Sequence, residues 1–411
     1  MAEITIHRLG HLGDGISHDP ELGPIFAQLV LPGEVVTGEI TGDRMVDPKI
    51  VTPSSDRVAP PCPHFKACGG CSLQHASDSF VADWKTEVVR KALVAHGLEA
   101  EMRPIQTSPP RSRRRATLAG TRTKKGALIG FHARKSDTIV PIRDCFLLDQ
   151  SFLPLLPVLE ELTRLGGSRN ATLSFQITRA EAGFDLSVTG GKPLDGELLQ
   201  NLPQFAAHFM RLTWEGEPVF ADAPPYQRFG TAQVSPPAGA FLQATREGEA
   251  ALLAAAAEAV GDAKQIVDLF SGCGTFTLPL AANAAVHAVE TSAEMLAALD
   301  HGSRFATGHK AITTEARDLF RRPLLPDELR RYDAAVIDPP RAGAEAQTKM
   351  LAEAFVPRIA FISCNPVTFA RDAKLLTEAG YRLNWVQVVD QFRWSPHVEL
   401  AASFSLAHID D

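Results

Sequence analysis

Three short apolar runs open the chain. "ITIHRLG", "PIFAQLV" and "EVVTGEI" are separated by Gly, Pro and Asp within residues 1–55. Brief strands at this spacing predict a small N-terminal β-barrel of the OB type. "DPKIVTPSSDRVAPPCP" (47–63) then reads as a linker. Over 77–98 the apolar positions Phe80, Trp84, Val88 and Leu93 recur about every four residues, which predicts a helix closed by Gly97. "RATLAGTRT", "GALIGFHA" and the hairpin-like 171–190 are strand patterns. Residues 56–245 are therefore expected to form a central, mostly β or α+β domain, with helix 77–98 placed to pack on its neighbour. From residue 246 the period changes. An Ala-rich helix (246–260) leads into "QIVDLF", "VHAVE", "YDAAVIDPP" and "RIAFISCNP", apolar runs alternating with helical ones. That alternation predicts a parallel α/β sheet over 246–411.

Composition adds little to the fold and something to the partner. In 411 residues, 45% are hydrophobic, enough for several cores. The N-terminus carries no signal-peptide-like apolar stretch, and the longest apolar run, "ALLAAAA", is too short to span a bilayer. A cytoplasmic protein without a membrane partner is expected. Net charge is −7, yet residues 102–136 hold no Asp or Glu. They contain Arg103, Arg111, Arg113, Arg114, Arg115, Arg122, Lys124, Lys125, Arg134 and Lys135. One basic stretch on an acidic chain is either a phosphate-binding face or a solvated loop.

"VDLFSGCGTFTLPLA" places Gly272 and Gly274 between a buried strand and a helix, where glycine permits a tight turn and close backbone approach to a ligand. Glu290 ends the next strand at the distance expected of a ribose-binding carboxylate. Phe276 and Thr277 stand where a dinucleotide fold would have its third glycine. A nucleoside cofactor without a pyrophosphate fits better, and S-adenosylmethionine is the usual one. Asp318 follows the third strand, where it could reach an adenine or simply cap a helix.

"IDPPRAG" and "ISCNPVTFARD" follow the fourth and fifth strands, at the sheet end where open α/β folds bind ligands. Cys364 is thereby placed as a loop thiol beside the cofactor, although a single Cys at a strand end is more often a small buried residue. In "FRWSPHVELAASFSL", Glu399 opens a final strand, where it is either a base or a surface carboxylate. The remaining cysteines cluster. Cys62, Cys68 and Cys71 are spaced C-x5-C-x2-C, and Cys145 supplies a fourth thiol. Four thiols suit Zn²⁺ or an iron–sulfur cluster.

Together, "DLFSGCGTFTLPLA", "DPPRAG", "SCNPVTFARD" and "SPHVE" resemble the uracil-C5 RNA methyltransferase family in order and spacing, over about 56–411. Residues 1–55 resemble the TRAM-type barrel at the front of many members. The resemblance implies a Rossmann-like class I methyltransferase domain, a central iron–sulfur domain and an RNA-binding barrel. It implies S-adenosylmethionine contacts at Gln243, Phe270, Thr275, Glu290, Asp318 and Asp338, a nucleophile at Cys364 and a general base at Glu399. "CPHFKACGGCSLQH" resembles the iron–sulfur segment of the rRNA branch, which implies a 4Fe-4S cluster on Cys62, Cys68, Cys71 and Cys145. "FRWSPHVE" departs from the usual "FPxTxHxE" at Arg393 and Trp394, which leaves the lining of the substrate pocket open. Phe369 or Trp394 is a candidate to stack on the target base, core packing being the alternative for Phe369. Arg341, and no Cys, follows "DPP", which favours uracil over cytosine.

The chemistry requires these parts. C5 of uracil is a poor nucleophile until a thiolate adds to C6, and a base must then remove the C5 proton. The base must leave its stack to be reached. The expected activity is methylation of a uridine in 23S rRNA by a monomer. The alternatives are a tRNA uridine-54 enzyme and, from another class, a non-catalytic RNA-binding iron–sulfur protein. Amino-group methylation would leave Cys364 unexplained.

Overall fold

The computed structural model describes residues 2–19 and 23–406. Its C-terminal half is built on an eight-stranded sheet. In spatial order the strands are Ile312–Ala316, Ala285–Glu290, Gln265–Leu269, Ala334–Ile337, Arg358–Ser363, Glu399–Leu406, Tyr381–Asp390 and Glu101–Thr107. The strands pair in parallel except Glu399–Leu406, which is antiparallel to both neighbours. Val267, Leu269, Ala335, Ile337, Ile359 and Phe361 are essentially fully buried, as expected when helices cover both faces of a parallel sheet. The order turns back between Gln265–Leu269 and Ala334–Ile337, so a crevice opens at their C-terminal ends. The antiparallel last strand brings its first residue, Glu399, to that same end.

The strand Glu101–Thr107 comes from the segment assigned above to the central domain. It joins this sheet by pairing with Tyr381–Asp390. The helix before it, Asp78–Val94, packs on Pro366–Glu378. Ser77 caps this helix by accepting the Phe80 amide, and Gly97 at φ +73° turns the chain away. Its buried face is Val81, Lys85, Val89 and Leu93, one position round from the expected stripe. The reason is Lys85. Its ammonium is 2.5 Å from the Asp390 carboxylate and 3.1 Å from the Phe392 carbonyl, inside the protein. A pairing with a residue at the far end of the chain has no signature in local periodicity.

The central sheet runs Ile139–Pro141, Ala127–His132, Arg115–Arg122, Leu173–Arg179, Phe184–Thr189, Arg211–Trp214 and Glu217–Ala221. The hairpin expected at 171–190 is there, with Leu173–Arg179 antiparallel to Phe184–Thr189. Helix Leu156–Gly166 covers one face over Phe175, Leu186 and Trp214. The N-terminal sheet has six strands where the sequence suggested three. The first run divides into Ala2–Thr5 and Arg8–Leu9, and Gly15–Asp19 is additional. Arg44–Thr52, also additional, takes up the start of the expected linker because it pairs with Val35–Thr41. Ala2–Thr5 pairs with Val35–Thr41, and Arg8–Leu9 with Gly15–Asp19. Between them the Ile6 amide bonds Glu34 and the His7 amide bonds Ile16. One chain segment thus serves both edges, and the sheet curls back on itself. Among the described residues, no helix is long and apolar enough to cross a membrane.

Removing one partner of a buried ion pair strands the other charge. Lys85→Met is expected to cost about 3–5 kcal/mol, read by urea unfolding. The double change Lys85→Met/Asp390→Leu should recover most of that loss.

Candidate active site

The strand Gln265–Leu269 ends in a turn carrying three left-handed residues, Phe270 (φ +63°), Gly272 (φ +56°) and Gly274 (φ +93°). A Cβ at Gly274 would lie 2.9 Å from the Leu299 side chain, so only glycine lets the loop pass this close. Glu290 reaches across from the next strand and accepts the Gly272 amide at 3.1 Å and the Ser292 amide at 3.0 Å. Behind the loop, Asp268 is fully buried and accepts the Thr277 hydroxyl at 2.5 Å. Its second oxygen and the Ser271 hydroxyl have no partner within the protein. Burial raises the Asp268 carboxyl to about 7.

Beyond Asp268 a hydrogen-bonded chain crosses the crevice. Gln243 donates to Asp338 at 3.4 Å, Gln391 donates to Gln243 at 2.5 Å, and Gln391 also donates to Glu399 at 2.5 Å. The Gln391 oxygen accepts the Ala244 amide at 2.7 Å, which fixes which end of that side chain points where. Glu399 is only 4% exposed, and burial raises its carboxyl to about 7. Burial and the nearby Glu399 raise Asp338 to about 8. Three carboxylates raised in this way, with unpartnered polar atoms among them, make a cleft suited to a positively charged ligand. S-adenosylmethionine, with a sulfonium and an ammonium, is such a ligand.

Cys364 sits half-buried directly after Arg358–Ser363. The next two residues explain its loop. Asn365 caps helix Pro366–Glu378 by accepting the Val367 amide, and Pro366 occupies the first helical position. The Asn365 side chain also donates to the Arg341 carbonyl at 2.9 Å, tying "SCNP" to "DPPRAG". Burial, then Glu399 and Asp338, push the Cys364 thiol up to about 11, and the Arg341 guanidinium acts against them. Arg341 itself donates to His397 at 2.8 Å.

Other expected residues lie around this centre. Thr275 is half-buried in the glycine loop. The Phe270 ring lies 5.5 Å from Phe320. The Asp318 carboxylate accepts the Phe320 and Arg321 amides at 3.0 and 3.3 Å, closing a turn rather than capping the helix weighed for it from sequence. Phe369 is fully buried between Phe361 and Phe404, away from any base. Trp394 is 6% exposed and packs on Phe65 and Cys71. Neither is placed to stack on a substrate. Gln391, Lys85 and Asp268 were not singled out from the sequence, and Thr277 was read only as the residue in place of a third glycine, since side-chain pairings distinguish them and sequence pattern does not.

Cys62, Cys68, Cys71 and Cys145 are all free thiols lining one cavity of about 520 Å³. The Gly70 amide donates to Cys68 sulfur at 3.4 Å, and a Cβ at Gly69 would lie 2.8 Å from the His132 carbonyl. Burial pushes Cys71 up to about 12, with the other three thiols adding to the rise. Among the described residues, no three His, Cys, Asp or Glu side chains are grouped to hold a metal ion. The cavity wall continues to Arg341, Phe392 and His397, so the thiols border the active site.

The basic stretch divides in two. Arg103 pairs with Glu258, Arg111 with Asp144 and Arg114 with Glu249. Arg113, Arg115 and Arg134 donate to the carbonyls of Arg115, Leu242 and Phe65. Arg122, Lys124 and Lys125 remain exposed at the tip of the hairpin formed by Arg115–Arg122 and Ala127–His132.

The family model described as tRNA (Uracil-5-)-methyltransferase matches residues 306–405. An uncharacterised RNA methyltransferase of Brucella suis is 42% identical over 97% of both chains. The 23S rRNA (uracil(1939)-C(5))-methyltransferase of Shewanella sp. (strain ANA-3) is 30% identical over 98% of this chain and 95% of its own. Among solved structures, the Pyrococcus abyssi tRNA (uracil-54, C5)-methyltransferase in complex with S-adenosyl-L-homocysteine superposes with a TM-score of 0.77 at 22% identity, covering 98% of this chain and all of that one.

The raised Glu399 carboxyl has a consequence for stability. A carboxyl raised in the fold stabilises below its unfolded value and loses that contribution as pH rises through about 7. In the ligand-free protein, Glu399→Gln should therefore raise thermal stability at pH 8, by a ΔΔG on the order of 3 kcal/mol, and leave it unchanged at pH 5. Melting curves of both proteins at the two pH values test this.

Proposed function

The chain belongs to the uracil-C5 RNA methyltransferase family, and on that premise we propose that it forms 5-methyluridine in 23S rRNA, with Cys364 as nucleophile and Glu399 as general base. The observation that carries this reading is the meeting of a loop thiol, a buried carboxylate and a carboxylate-lined glycine-loop crevice at one end of one sheet.

The Cys364 thiolate adds to C6 of the flipped uracil, the C5=C6 π pair shifts to C4=C5 and the C4=O4 π pair moves onto O4, giving an enolate over C5, C4 and O4 whose C5 is nucleophilic. S-adenosylmethionine, when bound, supplies the sulfonium methyl group that becomes the C5 substituent. Arg341 stabilises the thiolate before attack and again when it leaves. Glu399 then takes the C5 proton, the C–H pair re-forms C5=C6, and the Cys364 sulfur departs with the C6–S pair. Gln391 orients Glu399 for this step and, through Gln243, links it to the cofactor side.

Gln243, Phe270, Gly272, Gly274, Thr275, Glu290 and Asp338 would hold the cofactor. Asp318 would contribute through the turn it caps, which sets Phe320 against Phe270. A 4Fe-4S cluster would be held by Cys62, Cys68, Cys71 and Cys145 as thiolates. A cavity of about 520 Å³ rimmed by all four suits a polynuclear cluster. The domains would be a TRAM-like RNA-binding barrel (1–55), a central iron–sulfur domain within 56–245 whose hairpin tip meets RNA phosphates, and the catalytic domain (246–411), which takes helix Asp78–Val94 and strand Glu101–Thr107 from the central segment. The enzyme would act as a monomer in the cytoplasm. The 23S rRNA enzyme, at 30% sequence identity, favours rRNA over tRNA, since the likeness to the tRNA enzyme is one of fold at 22% identity.

Two measurements test this reading. With S-adenosylmethionine and 5-fluorouridine-substituted 23S rRNA fragments, a covalent adduct should appear on a denaturing gel and vanish in Cys364→Ala. An adduct with substituted tRNA alone would reassign the substrate, and none with either RNA would overturn the chemistry. Protein purified anaerobically should be brown and contain iron and acid-labile sulfide. Cys145→Ser should lose both, and a colourless protein with one zinc would overturn the cluster.

A further inference from the structure

Gln391 and Glu399 touch, yet the loop 392–398 runs between them. Its internal hydrogen bonds are slight. The Ser395 amide donates to the Phe392 carbonyl at 2.9 Å and the His397 amide to the Ser395 hydroxyl at 3.3 Å. Its ends are held by Lys85 at the Phe392 carbonyl and by Arg341 at His397, and its middle is set from outside at two adjacent residues. Arg393 reaches the Asp78 carboxylate at 2.5 Å and the Ser108 carbonyl at 3.2 Å. Trp394 is left-handed at φ +59°, a conformation that costs a non-glycine residue about 1–2 kcal/mol. Its carbonyl accepts the Ser72 amide at 2.7 Å and the Leu73 amide at 3.0 Å. Its indole is buried against Cys71 and Phe65, under the Arg393 guanidinium at 4.9 Å. These contacts reach helix Asp78–Val94, the segment at Ser108 and the cysteine loop, and none of them touches the cleft.

We propose that Arg393 and Trp394 are positioning residues for proton removal. They pin the loop so that Glu399 meets the C5 hydrogen once Cys364 has added to C6, and they tie that register to the cysteine loop. The inference rests on Cys364 and Glu399 being nucleophile and base. A loosened loop slows transfer of the C5 proton to the Glu399 carboxylate. The step that returns the C–H pair to C5=C6 and releases the Cys364 sulfur is thereby delayed, while the earlier attack on C6 is spared.

Trp394→Gly isolates the anchor, because glycine accepts this φ without strain and only the indole is lost. The variant is compared with wild type on ordinary uridine RNA and on 5-fluorouridine RNA, both with S-adenosylmethionine. Turnover on ordinary RNA should fall about 10–100-fold, with a methylated covalent adduct accumulating on a denaturing gel. Trapping on 5-fluorouridine RNA should stay within about threefold of wild type, since that reaction stops before proton removal. Trp394→Phe should restore most turnover. Asp78→Asn removes an exposed partner of Arg393 and should act in the same direction, more weakly, even where Trp394→Gly fails to fold. Equal losses of trapping and turnover, with no adduct on ordinary RNA, would reduce both residues to structural supports and overturn the proposal. Absence of a Cys364-dependent adduct from wild-type enzyme on 5-fluorouridine RNA would instead mark failure of the underlying mechanism.

Discussion

Two glutamine side chains let buried carboxylates share one crevice. Burial raises both Glu399 and Asp338, the nearby Glu399 raises Asp338 further, and among the described residues no arginine hydrogen-bonds either. Gln391 and Gln243 stand between them as a relay of amide donors. Much of the surrounding structure fixes those two amides. Arg114 holds the Gln243 carbonyl at 3.1 Å and pairs with Glu249 on helix Arg246–Val260. Lys85 holds Asp390, the residue before Gln391, from a helix at the other end of the chain. The eight-stranded sheet supplies the remaining condition, since only an antiparallel last strand can start where its parallel neighbours end.

The arginines of the basic stretch belong to the same scaffold. Clustered positive charge in a sequence suggests a nucleic-acid surface, and here most of it is spent within the protein. Arg113 sits 5.5 Å over Phe392 and Arg111 4.2 Å over Phe146, one beside the catalytic loop and one beside Cys145. A guanidinium can stack on a ring and donate in its plane together, which suits it to bind loops that lack regular structure. The acidic body of the chain supplies partners for several of these arginines.

What was legible in the sequence was local. Gly272 and Gly274 announce their turn because glycine takes a left-handed backbone without strain, and at Gly274 a Cβ would meet Leu299. "SCNP" announces a helix start because the Asn cap and the Pro at the first position act within three residues. The apolar alternation gave the parallel sheet for the same reason. What was hidden depends on distant pairing. Lys85 looks like a solvated helix residue until Asp390 is beside it, and that alone rotated the expected helix face. "DPKIVT" looks like linker until Val35–Thr41 is paired with it. Trp394 looked like a stacking platform because an aromatic near a substrate loop usually is one; its left-handed backbone turns it toward the cysteines instead.

Strand Glu101–Thr107 is an edge of the catalytic sheet, and among the described residues its one neighbour is Tyr381–Asp390. On the ribosome it emerges early, together with Lys85, whose partner lies 305 positions further on. Until Tyr381–Asp390 has been made, the strand lacks its partner and the helix carries a buried-type lysine with nothing to meet. The N-terminal and central sheets close on contacts nearer in sequence. The catalytic sheet becomes whole only once Tyr381–Asp390 has joined it. A nascent chain released early would expose an unpaired strand, an invitation to aggregate.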